Sequence, residues 1–71
     1  MNVTVKVKYG SNKQSVESFG NNRYLIYLYS NKEDAAALDE LSALLSTHLG
    51  VPLNRVELRR DMGDTKLFLI N

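Results

Sequence analysis

The sequence predicts an α+β fold: a two-layer β-β-α-β-β domain whose four-stranded sheet carries one helix on one face. Three observations support this. Val3 to Tyr9 alternates strictly between apolar and polar residues, the period of a half-buried strand. Ala37, Leu38, Leu41, Leu44, Leu45 and His48 recur at helical spacing, as on the buried stripe of an amphipathic helix. Arg55 to Arg60 alternates again and leads through Asp61-Met62-Gly63-Asp64 into the apolar run Thr65 to Ile70, which reads as a closing hairpin.

Each element has a local reason. In the first strand Val3, Val5, Val7 and Tyr9 share one side, with Thr4, Lys6 and Lys8 on the other. Residues 10–21 read as a long polar loop in which only Val16 and Phe19 turn back to the core. Gly20-Asn21-Asn22 closes that loop with residues that tolerate positive φ. Arg23 to Tyr29 is rich in β-formers and apolar on both faces, so it reads as a central strand. Ser30 with Glu33 has the spacing of a capping box, and Asp34 adds negative charge at the positive end of the helix dipole. The helix is expected to run to Leu49 and to stop at Gly50, with Pro52 blocking any continuation. Two hairpins joined by the helix favour the strand order 1-2-4-3, with the two most apolar strands in the middle.

Length and composition narrow the function. Seventy-one residues make one domain, 1–71, with a stability of roughly 4–10 kcal/mol. An apolar share of 44% is that of a globular chain and argues against disorder. The absence of cysteine excludes disulfides, thiolate catalysis and Cys-ligated metal centres and suits a cytoplasmic protein. The opening MNVTVKVK has no apolar core of the kind a signal peptide needs. The run Tyr24 to Tyr29 is far too short to span a membrane, which takes about 20 residues. Net charge is only +1, but residues 1–29 are basic and 30–49 acidic.

Three stretches resemble one family. VTVKVKYGSNKQSV, YLIYLYSNKEDAAALDELSALLSTHLGVPLNRVEL and TKLFLI are similar to the YggU-like family of small uncharacterised α/β proteins. That family runs through a Val-Lys-Val-Lys strand, a Gly-containing loop, a second strand, a helix ending in Leu-Gly-Val-Pro, and a strand of the form Arg-Val-Glu-Leu. The likeness covers nearly the whole chain. Its matched positions are Gly10, Lys13, Ala37, Gly50, Pro52, Arg55 and Lys66. The chain departs from the family at Tyr9, where Pro is usual, and at the helix start, where Ser30-Asn31-Lys32 replaces Ala-Pro-Pro. A Ser-Arg pair usual between the last two strands is also missing, and only Lys66 of that element remains. The resemblance implies the fold and brings no established activity with it. The alternative fold is a ubiquitin-like β-grasp, which shares the β-β-α-β beginning. Leu69-Ile70-Asn71 lacks the Gly-Gly tail of a conjugated modifier.

No catalytic, cofactor or metal site is expected. His48, the one histidine, reads either as an acid/base group or as a hydrogen-bonded residue closing the core near the negative end of the helix dipole. Asp61 and Asp64 flank Gly63, where tight-turn chemistry alone selects such residues. Gly10 in YGSNK lacks the spacing of a phosphate-binding loop. The remaining candidate is the sheet face away from the helix, formed by Lys6, Lys8, Tyr27, Tyr29, Arg59 and Phe68, with Lys66 and Leu25 beside them. Aromatics among cations suit a protein partner or a homodimer. They also suit single-stranded RNA, whose bases stack on aromatics while cations hold phosphates. The expected function is therefore a non-enzymatic protein-interaction or self-association module, with nucleic-acid binding as the alternative.

Overall fold

The structure is a computed structural model that describes residues 1–71. The α+β class holds, but the sheet has five strands rather than four. In chain order the elements are β1 (Asn2–Lys8), β2 (Ser15–Ser18), β3 (Arg23–Tyr27), α1 (Ala36–Leu49), a 3₁₀ turn (Leu53–Arg55), β4 (Val56–Met62) and β5 (Thr65–Ile70). The sheet order is β2-β3-β1-β5-β4.

The expected order is corrected by one element, β2. It lies within the stretch read as loop, and it pairs antiparallel with β3, Val16 opposite Ile26. The connecting turn is Gly20, Asn21 and Asn22, all at positive φ (78°, 52° and 59°). Because β2 already makes the hairpin with β3, β3 runs parallel to β1, with Val5 opposite Tyr24 and Val7 opposite Ile26. The other side of β1 is thereby left for β5, antiparallel, with Val3 opposite Phe68 and Val5 opposite Lys66. β3 is internal as its two apolar sides predict, but β1, not β3, is the neighbour of β5.

β4 and β5 form the expected hairpin with a tighter turn. Met62 pairs with Thr65, so the loop is Gly63-Asp64 alone. Gly63 sits at φ 79° while Asp64 does not have positive φ, the sign pattern of a type II′ turn. A bulge at Arg59 shifts the register between Leu58 and Arg60.

The helix starts later than the capping-box reading puts it. Its N-cap is Ala35, and the Asp34 carboxylate accepts from the Ala36 amide at 2.9 Å. Ser30 is unavailable as a cap because it is tied to other elements. Its carbonyl accepts from the Gly10 amide, and its own amide donates to Glu40. The C-terminal end is as predicted. Gly50 is left-handed at φ 68°, the Val51 amide bonds the Ser46 carbonyl and the Gly50 amide bonds that of Thr47. These are the two bonds of a Schellman cap.

One side of the sheet carries the core. Val3, Val5, Val7, Ile26, Leu28, Phe68 and Ile70 pack with Ala37, Leu41 and Leu45 of α1. Val16 joins this cluster, but Phe19 does not and stays 61% exposed. His48 is also exposed, a correction to its place on the buried stripe. The stripe passes from Leu41 through Leu45 to Leu49, and His48, in the last turn, meets the Tyr24 ring edge-on at 5.4 Å. No helix is long and apolar enough to cross a membrane.

Candidate functional site

Strand parity fixes what lies opposite the helix. β1 presents Asn2, Thr4, Lys6 and Lys8, since Val3, Val5 and Val7 are buried. Lys6 stands opposite Leu25 and Lys8 opposite Tyr27 on β3. Across β5, Thr4 stands opposite Leu67 and Asn2 opposite Leu69. β4 adds Glu57, opposite Leu69, and Arg60, opposite Leu67. Leu25, Tyr27, Leu67 and Leu69 are half-buried and the lysines exposed. The face is therefore a row of polar and cationic β1 side chains with leucines on both flanks. The lysine stems add apolar cover between them.

Two of the six expected residues are not on this face. Phe68 is fully buried beneath α1, because β5 presents Leu67 and Leu69 outward and reserves Lys66, Phe68 and Ile70 for the helix side. The run Thr65 to Ile70 is apolar on both sides, so alternation alone does not choose, and the larger Phe68 takes the core. Tyr29 lies beyond the end of β3, 59% exposed, with its amide bound to Glu40 rather than to the sheet. Lys6, Lys8, Tyr27 and Arg59 are together on the open face. Arg59, in the bulge, lies 3.6 Å from Glu57.

The electrostatics of the face are one-sided. Its two carboxylates, Glu17 and Glu57, each face a cation, Lys13 at 4.0 Å and Arg59 at 3.6 Å. Lys13 also sits over the Tyr27 ring, 4.1 Å from its centre. Lys6, Lys8, Arg23 and Arg60 make no ion pair. Arg59 and Arg60 border a depression of about 310 Å³ floored by Leu67 and Leu69. The helix side instead carries Glu33, Asp34, Asp39 and Glu40.

The family-matched positions do not make a single site. Gly10 supports the start of the helix connection: its φ is 59° and a Cβ would come 2.6 Å from Asn31 Oδ1. Ala37 is core, Lys13 covers Tyr27, and Gly50, Pro52 and Arg55 form the joint at the far end of α1. Lys66 is a correction to the expected open face. It is buried on the helix side, and its Nζ donates to Asp61 Oδ1 at 2.7 Å and to the Gly63 carbonyl at 3.1 Å. Burial pulls its pKa down, but hydrogen bonds with Asp61 and Tyr9 outweigh this and the net shift is upward. The bond from Lys66 holds the Asp61 carboxyl below its usual range. Two facts of the sequence could have placed this pair: a two-residue loop at Gly63-Asp64 sets Asp61 opposite Lys66, and opposite charges there attract.

Glu40 is the strongest polar anchor that sequence reasoning missed. Partial burial raises its pKa, but hydrogen bonds from Gln14, Ser30 and Tyr29 prevail and hold it at about 2. It ties α1 to the end of β3 and to the loop before β2. No group of three or more His, Cys, Asp or Glu side chains could hold a metal ion. No protein-family model and no curated protein matches the chain.

Proposed function

We propose that this chain is a small non-enzymatic protein-interaction module that binds a partner through the open sheet face, as a divergent member of the YggU-like type. The observation that carries the reading is the pairing of half-buried Leu25, Leu67 and Leu69 with the unpaired cations Lys6, Lys8, Arg23 and Arg60 on one surface. Leucine flanks supply apolar area, and unpaired cations select an acidic partner and speed its approach. Face-to-face pairing of two copies would set these cations against their own images, which favours a different protein over a second copy.

Single-stranded RNA is the second reading, favoured by the same cations. Its weakness is stacking: with Phe68 in the core and Tyr29 off the sheet, Tyr27 is the one aromatic ring left on the face, and Lys13 already covers it. A photo-crosslinking side chain placed at Leu69, with Ala43 on the exposed side of α1 as control, tests both readings in producing cells. The expected result is discrete protein adducts from position 69 alone, lost in Lys6→Glu with Arg60→Glu. Ribonuclease-sensitive adducts would transfer the site to nucleic acid, and no adduct from position 69 would refute the open face as an interface.

A further inference from the structure

β4 ends the sheet, so one side of its backbone has no strand partner. Next to that edge runs a groove of about 320 Å³ between β4 and α1, lined by Leu38, Asp39, Ser42, Leu53, Val56 and Leu58. Exposed apolar side chains gather here: Leu38 is 41% exposed and Leu53 55%. Leu38 and Leu53 lie outside the core cluster, while Val56 and Leu58 reach it only in part. On the strand's other side stand Arg59, weakly engaged by half-exposed Glu57, and Arg60, which has no ion-pair partner.

We propose that the β4 edge and this groove form a docking site for a short extended peptide segment with apolar and acidic residues in alternation. Unpaired amides and carbonyls of an edge are satisfied only by another extended backbone. Successive side chains of an added strand point to opposite sides. One set therefore enters the groove against Leu38, Leu53, Val56 and Leu58. The other set passes Arg59 and Arg60. Asp39 on the groove wall repels acidic groups there and fixes which set is apolar. A second copy of β4 fits poorly, because the bulge at Arg59 breaks the edge near its middle, and bulges are a common device against edge-to-edge pairing. A short peptide pairs with the straight stretch Val56 to Leu58 beside the groove and reaches Arg59 and Arg60 with the residues that follow, without having to match the bulge over a full strand. The groove opens on the helix side of the sheet while Arg60 is shared with the open face, so the groove variants at Leu53 and Leu38, which leave the open face intact, separate this site from the open-face reading.

The test is a titration of ¹⁵N-labelled protein with an acetylated, amidated heptapeptide of alternating Glu and Val. The expected result is shifts at Val56 to Met62, Leu38 and Leu53, half-saturated below ~1 mM. Binding should weaken at least tenfold in Leu53→Asp, with Leu38→Gln as the second variant should the first not fold. A peptide N-methylated on the edge-facing amides, and one of the same composition with the alternation scrambled, should each lose at least tenfold. No shifts at millimolar peptide would overturn the proposal. So would shifts confined to the Lys6 and Lys8 face, equal binding of the scrambled peptide, or β4 shifts that follow protein concentration alone and so reveal a second copy on the edge.

Discussion

Glu40→Gln removes one charge and keeps nearly the same shape, so its cost reports what the carboxylate contributes. In the native protein its oxygens accept from Gln14 Nε2 at 2.7 Å, the Tyr29 amide at 2.9 Å and the Ser30 amide at 3.0 Å. A fall from 4.5 to about 2, at about 1.36 kcal/mol per pH unit, amounts to about 3 kcal/mol. Solvent reaches this site and screens it, so about 1–2 kcal/mol is the expected loss at pH 7. In a domain this small that lowers the melting temperature by ~4–8 °C per kcal/mol. The sign follows from linkage. The folded-state pKa lies below the unfolded one, so the stabilisation is complete above pH 4.5 and is lost as pH falls through about 2. Urea unfolding of both proteins at pH 7 and near pH 2 checks this. The gap between them should be open at pH 7 and nearly closed at the acid end, with faster amide exchange at Tyr29 and Ser30 in the variant. Equal stabilities at pH 7, a gap that survives at pH 2, or a Glu40 carboxyl titrating near 4.5 by NMR would refute the reasoning.

Three further outcomes follow from other contacts. Asp61→Ala leaves the buried Lys66 ammonium without its carboxylate and should cost about 1–2 kcal/mol in urea unfolding, more than Lys66→Met, which removes charge and keeps the apolar stem. Phe68→Ala should cost about 3–5 kcal/mol and Leu67→Ala only about 1 kcal/mol, and equal costs would reverse the assignment of β5 faces. Gly10→Ala should lose about 1–2 kcal/mol through its positive φ and the Asn31 contact. Adding Asn31→Ala should recover only part of this, and full recovery in thermal melts would show that the backbone is not constrained there.

The elements that could be read from sequence were those whose signal is periodic or local. β1 declares itself by the Val3, Val5, Val7 alternation, α1 by its leucine stripe, and its end by Gly50 and Pro52. β2 did not, because Ser15-Val16-Glu17-Ser18 holds a single apolar residue, and its place depends on pairing with β3. That one omission reverses the direction of β3 against β1 and so moves β1 beside β5. Side choice failed in β5 for a related reason. Leu67, Phe68, Leu69 and Ile70 offer apolar residues to both sides, and only the packing beneath α1 separates them. Lys6 and Lys8 lie on the open face as expected because alternation is clean there; Tyr27 does so because Ile26 and Leu28 take the core, and Arg59 because the bulge leaves it beside Arg60. Glu40 was invisible because its partners, Gln14, Tyr29 and Ser30, are distant in sequence and meet only in the fold.

The placement of β1 between β3 and β5 also governs how this molecule comes to be folded. The hydrogen bond from Met1 to Ile70 joins residues 69 positions apart, and the ladder beside it spans nearly the same interval. Closing so large a loop costs entropy before the contact returns any stabilisation, and sheets built on distant pairings assemble in milliseconds to seconds rather than microseconds. While a nascent chain waits for β5, Val3, Val5 and Val7 have only the β3 side of their ladder, and one edge of β1 stays open. The interior strand of the finished sheet is thus, for a time, an open edge, where the charges of Lys6 and Lys8 oppose pairing with another chain.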